Sequence, residues 1–313
     1  HLVESMAYVG ETPWHGLGMS VSDKLTPAEM QEACGANFEV LKEPEYVEYN
    51  GRKIKTGNYS LLRKNFGKDY VKFLDSVSED WIFPQPSEGF DFFTEMCKEG
   101  GIHMHTAGVL DEGRMIWAMA KANSGFSLFK GKDVIESNLL FSLPYQYGKS
   151  TIIMGTNVRV VCNNTLQAAL SSGKKDLMVR VNHRREFNPE QVKEILNLNT
   201  DRLEAYKEAA EFLSKKKAKL EDVQEYFDKL FPLTSNKKGK ERSRNATMLM
   251  DILESQPGAE LGAGTWWQAF NAVTYATDHL IGNNDSTRLY SAFYGPGRNR
   301  KVDALKLATV MAK

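Results

Sequence analysis

The chain has 313 residues, a formal net charge of zero, 42% hydrophobic residues and 26% charged residues. This is the composition of a globular protein with room for one large domain or two ordinary ones. No apolar run reaches the roughly 20 residues that span a bilayer, and the first residues lack the basic and apolar regions of a signal peptide. The cysteines Cys34, Cys97 and Cys162 form no CxxC pair, which argues against a disulfide framework or a zinc ribbon. We therefore expect a cytoplasmic protein with no membrane partner, no metal and no cofactor.

Strand signals dominate the first part of the chain. Thr26 before Pro27 predicts a helix start, with threonine as the N-cap and proline at the first helical position. Asn50-Gly51 between two β-prone runs predicts a two-residue hairpin. Helical spacing indicates another helix over 87–97. Strands are predicted at 38–41, 46–49, 52–54, 59–63, 105–110, 114–120, 150–154, 158–161 and 179–181, with a helix starting over 166–170.

Helical patterns follow residue 187. They predict helices over 188–217, 220–231, 244–254, 266–281 and 299–312, with a flexible loop at 235–244 and a Gly-rich connector at 257–264. The order indicates an α+β fold. We expect a β-rich N-terminal half (1–187), with a mostly antiparallel twisted sheet, packed with a helical C-terminal half (188–313). Whether the halves are separate regions or one continuous domain is left open.

The charge is unevenly distributed between the two parts of the chain. Residues 1–150 carry 15 Lys/Arg and 21 Asp/Glu, whereas residues 151–313 carry 25 and 19. The excess of cations in the second part hints at a polyanionic partner. Long, solvated, Lys-rich helices are the alternative explanation.

Several basic clusters are candidates for contact with a phosphate backbone. Arginine can bind phosphate oxygens through two nitrogens and can stack on bases, and a basic loop can order on nucleic acid. For the cluster around residue 184, an exposed hairpin edge protected by charge is an equal alternative. The candidate DNA-binding residues are Arg159, Lys174, Lys175, Arg180, His183, Arg184, Arg185, Lys237, Lys238, Lys240, Arg298, Arg300 and Lys301. Aromatic residues near the last of these, including Trp266 and Trp267, suggest base stacking or a hydrophobic core.

The run from Arg159 to Leu166 predicts a strand, a tight turn at Asn163-Asn164 and a helix capped by Thr165. The amides of such a helix N-terminus could bind a phosphate. An alternative, catalytic hypothesis is that Cys162 is a nucleophile with His183 as its base. The phosphate-loop, dinucleotide, zincin and hydrolase motifs are missing from the sequence, so we expect a protein that is not an enzyme.

Four stretches together resemble the phage/plasmid-like proteins classed as a domain of unknown function. They are residues 6–18, 107–117, 159–166 with the downstream His183, and 266–279. The residues that carry the resemblance most clearly are Trp14, His15, Cys162, Asn163, Asn164, Asn271 and His279. The resemblance implies a phage or plasmid protein in a host cell, encoded near replication and recombination genes, and it implies no particular chemistry.

The leading hypothesis is a DNA-metabolism protein that binds single-stranded DNA as a recombination or strand-annealing factor. Cations would neutralise phosphates, and a homo-oligomer would add avidity for long strands. One alternative is a host-interaction or anti-defence protein that acts by binding another protein. The other is an uncharacterised enzyme that uses Cys162 and His183.

Overall fold

The computed structural model describes most of the chain. The described residues are 3–10, 18–65, 67, 69–98, 101–159, 164–166, 178–181, 183, 203–236, 239–283, 287–288, 291–292 and 295–313. Within them, no helix is both long enough and apolar enough to cross a membrane.

Strands dominate the first 181 residues. In chain order the elements are β1 (Val3–Val9), β2 (Met19–Val21), α1 (Pro27–Ala33), β3 (Phe38–Tyr49), β4 (Arg52–Asn65), β5 (Val71–Val77), α2 (Pro86–Lys98), β6 (Ile102–Leu110), a 3-10 turn (Asp111–Gly113), β7 (Met115–Leu128), β8 (Asp133–Pro144), β9 (Thr151–Arg159), β10 (Asn164–Leu166) and β11 (Met178–Val181). The predicted helix start at Thr26 is confirmed, because Thr26 and Glu29 form a reciprocal capping box.

Helices dominate the remainder. The elements are α3 (203–215), α4 (Leu220–Leu230), β12 (Thr234–Asn236), β13 (Gly239–Glu241), α5 (Arg244–Ile252), a 3-10 helix (Ala259–Gly262), α6 (Trp266–Tyr275), a π-helix (Ala276–Leu280) and α7 (Pro296–Met311). The predicted α+β class, with a β-rich N-terminal half and a helical C-terminal half, is confirmed.

The larger sheet has eight strands in the order β10-β9-β8-β7-β6-β1-β2, with β11 also paired to β9. β1 runs parallel to β2, while β1–β6, β6–β7, β9–β10 and β9–β11 are antiparallel. The sequence prediction missed β8. Most of its residues are buried regardless of alternation, so it lacks the period-two pattern by which a half-exposed strand is found.

Two compact units divide the chain. The first comprises His1–Asn123, Asn138–Met154 and Leu177–Leu196, and the second comprises Ser124–Ser137, Gly155–Asp176 and Asn197–Lys313. The division differs from a single boundary at 187/188, because β7, β8 and β9 each contribute residues to both units. The core of the first unit includes Met30, Leu61, Phe93, Ile116 and Phe141, and that of the second includes Leu213, Tyr226, Leu249, Trp267 and Phe270.

Two local predictions are corrected by the structure. Leu166, predicted to start a helix, lies with Thr165 in β10, where Thr165 pairs with Val158, and residues 167–170 lie outside the described residues. The segment predicted as a flexible loop contains the short hairpin β12–β13, in which Thr234 pairs with Glu241. Both segments are polar and turn-rich, and their pairing depends on partners that local composition does not specify.

A second sheet, within the first unit, has the order β3-β4-β5. The predicted turn at Asn50-Gly51 is confirmed, with both residues in the left-handed region at φ 50° and 71°. β3 pairs with β4 from Phe38–Asn65 to Tyr49–Arg52, whereas β5 pairs only with residues 59–64 of β4. The distal part of the hairpin, residues 46–58, is therefore a two-stranded ribbon, which we call the arm.

Near the base of this sheet, side chains form hydrogen bonds with backbone groups of both outer strands, β3 and β5. The Val40 amide donates to Oε1 of Gln85, and Nε2 of Gln85 donates to the Val40 carbonyl, both at 2.9 Å. On β5, Nε of Arg114 donates to the Leu74 carbonyl at 2.7 Å. These contacts remove groups that could otherwise act as templates for an added strand.

Candidate nucleic-acid interface

Many of the predicted DNA contacts fall outside the described residues. These are Lys174, Lys175, Arg184, Arg185, Lys237 and Lys238, together with the motif residues Trp14, His15, Cys162 and Asn163. For Arg180, Lys240 and Asn164 the structure describes the backbone, in β11, β13 and β10. The remaining predicted residues can be placed individually.

Arg159 is buried in an ion pair. Its Nε and Nη2 each lie 2.7 Å from an oxygen of Asp133, and Nη2 also donates to the Gly258 carbonyl at 3.1 Å. The Asp133 carboxylate also accepts from Nε1 of Trp267 at 2.9 Å. The prediction that Arg159 contacts phosphate is therefore wrong: its guanidinium holds three segments of the second unit together.

Lys301 is also buried. Its Nζ lies 2.7 Å from Asp278, which belongs to the π-helix after α6, and the two side chains are 1% and 3% exposed. Burial lowers the pKa of Lys301, while the Asp278 carboxylate acts in the opposite direction. Because the ammonium group faces the interior, Lys301 is not a surface contact for DNA, contrary to the sequence prediction.

The motif residues of α6 and the π-helix are interior too. Nδ2 of Asn271 donates to the Trp267 carbonyl at 2.7 Å, and the ring of His279 lies 4.6 Å from that of Tyr275. Trp266 and Trp267 are part of the second unit's core, so they cannot stack on bases. These residues stabilise the helical unit.

His183 is buried in the first unit. Its ring stacks on Trp81 with centroids 3.9 Å apart, and its Nδ1 lies 2.9 Å from the Ile82 carbonyl. That carbonyl requires a donor, so the proton resides on Nδ1. Burial lowers the pKa of His183. The predicted phosphate contact at His183 is therefore wrong, and its proposed catalytic partner Cys162 lies outside the described residues.

Arg298 and Arg300, in the first turns of α7, are half-buried. The Arg300 guanidinium lies 5.0 Å from the centre of the Phe231 ring, and burial lowers its pKa. Arg300 also lines an open groove with Lys229 and Asp303. Mixed charge in this groove makes it a weaker candidate for a polyanion than a surface with cations alone.

The arm carries exposed basic and aromatic residues of the first unit, and it was not among the sites predicted from the sequence. Every residue from 46 to 58 is exposed. Tyr46 and Tyr49 are 55% and 67% exposed, and Val47 and Ile54 are 48% and 47% exposed. Arg52, Lys53 and Lys55 lie on the return strand. A ribbon of this kind buries little of its own apolar surface, so these side chains remain exposed to solvent.

Strand register divides the arm into two faces. Tyr46 stands opposite Lys55 and Glu48 opposite Lys53, whereas Val47 stands opposite Ile54 and Tyr49 opposite Arg52. Opposed residues share a face, and successive residues alternate. We call the first set (Tyr46, Glu48, Lys53, Lys55) the lysine face and the second set (Val47, Tyr49, Arg52, Ile54) the acid-free face.

Two lysines also converge at the base of the arm. Nζ of Lys42 and Nζ of Lys55 lie 5.1 and 5.6 Å from the centre of the Tyr59 ring, and the Tyr59 hydroxyl donates to Glu79 at 3.0 Å. The ring thus positions two cations beside one aromatic group.

One sequence signal could have identified the arm. β4 contains five cations (Arg52, Lys53, Lys55, Arg63 and Lys64) and no acidic residue. Averaging charge over 150 residues concealed this run, because β3 alone contributes four glutamates. Charge counted strand by strand around the Asn50-Gly51 turn would have separated the two strands.

Together these features define a two-unit α+β protein whose first unit carries an exposed, basic, aromatic β-ribbon. Residues 73–303 match the family model described as "Domain of unknown function (DUF932)", and the chain belongs to that family. This confirms the resemblance to a family of unknown function. The arm precedes the matched range. No curated protein and no solved structure matches the chain.

Proposed function

We propose that the protein binds single-stranded DNA through the arm. The observation that carries the proposal is the coincidence, on one fully exposed ribbon, of two tyrosines with Arg52, Lys53 and Lys55. Cations neutralise phosphates, and aromatic rings stack on unpaired bases, so this combination suits a single strand of any sequence.

The location of the cations supports a phosphate-tracking role. On the return strand of the arm, residues 52–58 contain three cations and no acidic residue. Successive cations at positions 52, 53 and 55 point to both faces of a ribbon. Binding should therefore depend steeply on salt, because each neutralised phosphate releases condensed counterions.

The first test is fluorescence anisotropy with a labelled single-stranded oligonucleotide over a series of salt concentrations. We expect the triple variant Arg52→Ala, Lys53→Ala, Lys55→Ala to bind more weakly. The slope of log K against log salt should fall in magnitude by about 2, since each contact with a single strand contributes about 0.7.

A matched control removes the same charge elsewhere. Lys215→Ala, Lys219→Ala, Lys306→Ala also deletes three exposed cations, all in the second unit. This variant should retain the wild-type slope. Equal weakening by both triple variants would show that net charge, rather than the arm, controls binding.

A role in recombination or strand annealing is the more specific part of the proposal. Proteins that anneal strands leave bases free to pair, and self-assembly raises their avidity for long strands. The rate at which two complementary labelled strands pair, with and without the protein, tests this role. An unchanged rate at saturating protein would limit the function to strand binding.

A protein partner is the second candidate. An apolar row crosses β3, β4 and β5 on the side of the three-stranded sheet that faces away from Leu61. It consists of Leu41, Leu62 and Phe73, and Phe73 is 50% exposed. Exposed apolar rows are typical of protein-binding surfaces. Failure to bind either single-stranded or duplex DNA at low salt would favour this candidate, including a host-interaction role.

A further inference from the structure

We infer that the two faces of the arm bind different parts of a single strand: the acid-free face stacks on bases, and the lysine face contacts phosphates. This inference rests on the proposed single-strand binding. The ligand it assigns is an unpaired nucleic-acid stretch recognised by its base planes, without preference for base identity.

The acid-free face has the composition of a stacking surface. Tyr49, 67% exposed, stands opposite Arg52, whose planar guanidinium can also stack on a base. Val47 and Ile54 form the neighbouring pair and supply apolar surface beside them. Without a carboxylate on this face, no like charge repels the phosphates that accompany stacked bases.

The lysine face suits phosphates better than bases. Lys53 and Lys55 carry compact ammonium groups, which bind phosphate oxygens as point charges. At the base of the arm Lys55 lies beside the Tyr59 ring, whereas the Lys42 ammonium group donates to the backbone carbonyls of Glu79 and Trp81 and is not counted as a phosphate contact. Glu48 stands opposite Lys53 and offsets part of its charge, so Lys55 is the stronger contact.

Duplex DNA is the competing ligand. A two-stranded β-ribbon has the dimensions to enter a major groove. In a duplex, however, the base planes are covered by their neighbours, and Tyr49 would meet only base edges. Stacking by the acid-free face therefore requires unpaired bases, which makes base removal the decisive probe.

The experiment compares binding of the full chain to three oligonucleotides of equal length. They are a normal single strand, a strand of abasic sites with the same phosphates, and the duplex. We expect the abasic strand to bind about tenfold more weakly than the normal strand, because stacked bases contribute strongly to affinity. Single strands of different base composition should bind alike.

Variants separate the two faces. Tyr49→Ala should abolish the difference in affinity between the normal and abasic strands, whereas Tyr49→Phe, and Tyr46→Ala on the lysine face, should preserve it. The double variant Lys53→Ala, Lys55→Ala should lower the affinity for the normal strand and for the abasic strand by the same factor. Because these side chains are exposed, thermal unfolding of each variant should match the wild type.

Three outcomes contradict the inference in distinguishable ways. Equal binding of normal and abasic strands by the wild type would overturn base stacking while leaving the proposed strand binding in place. Tighter binding to the duplex would overturn it in favour of groove recognition. No binding to any of the three probes would overturn the proposed function itself.

Discussion

A single buried carboxylate, that of Asp133, connects three segments of the second unit. It pairs with two nitrogens of Arg159 and accepts a hydrogen bond from the Trp267 indole. Lys301 and Asp278 form a second buried pair. Removing one partner of a buried ion pair lowers the free energy of unfolding, so these side chains contribute to folding stability. The cations of the arm are exposed and are available to a ligand.

The variant Asp133→Asn tests the role of the first pair. It keeps the size of the side chain but leaves the buried Arg159 guanidinium without its counter-charge. We expect the free energy of unfolding to fall by about 3–5 kcal/mol, measured by urea denaturation. Glu225→Gln, which breaks the exposed pair with Lys229, should cost less than about 1 kcal/mol. Similar losses in both variants would contradict the distinction.

His183 should make stability depend on pH. Because burial lowers its pKa in the folded state, the unfolded chain binds a proton first as the pH falls below about 6.5. Stability should therefore fall with decreasing pH through this window and level off below the lowered pKa. Thermal unfolding between pH 8 and pH 5 measures the effect.

The matching variant is His183→Phe, which keeps an aromatic ring beside Trp81 and removes the titratable group. Its melting temperature should change less with pH than that of the wild type, even if it is lower overall. A wild-type slope in His183→Phe would show that another group titrates.

At the scale of elements, the three-stranded sheet combines a protected base with an exposed arm. Gln85 and Arg114 occupy backbone groups of β3 and β5, and Pro44 removes a donor from β3. Beyond residue 46 the two strands of the ribbon pair only with each other among the described residues. The sheet is therefore stable where it joins the core and available for binding where it extends from it.

Replacing residues 46–57 with a short Gly-containing turn tests this division. Since β5 pairs only from Tyr59 onwards and the removed residues are exposed, we expect the melting temperature to change little. Anisotropy should detect no single-strand binding above that of the Arg52, Lys53, Lys55 triple variant. A large loss of stability would show that the arm supports the core, and binding at wild-type affinity would locate the DNA contact elsewhere.

For the molecule as a whole, charge averaged over halves does not show which cations are exposed. The second part of the chain has more cations. However, Arg159 and Lys301 form buried ion pairs, and two nitrogens of Arg242 donate to the Asp228 carboxylate. The first part is acidic overall but contains the acid-free strand β4. What a polyanion would meet depends on which charges remain exposed, not on their sum.

Features that depend on near neighbours were predictable from the sequence. The Thr26 cap, the Asn50-Gly51 turn, the amphipathic helix α4 and the order of strands before helices all follow from local spacing. Other features depend on residues that are distant in the chain. β8 lacked alternation because it is largely buried, and Arg159 was paired by a residue 26 positions away. Burial and distant partners arise only when the chain folds, so exposure of the arm could be recognised only then.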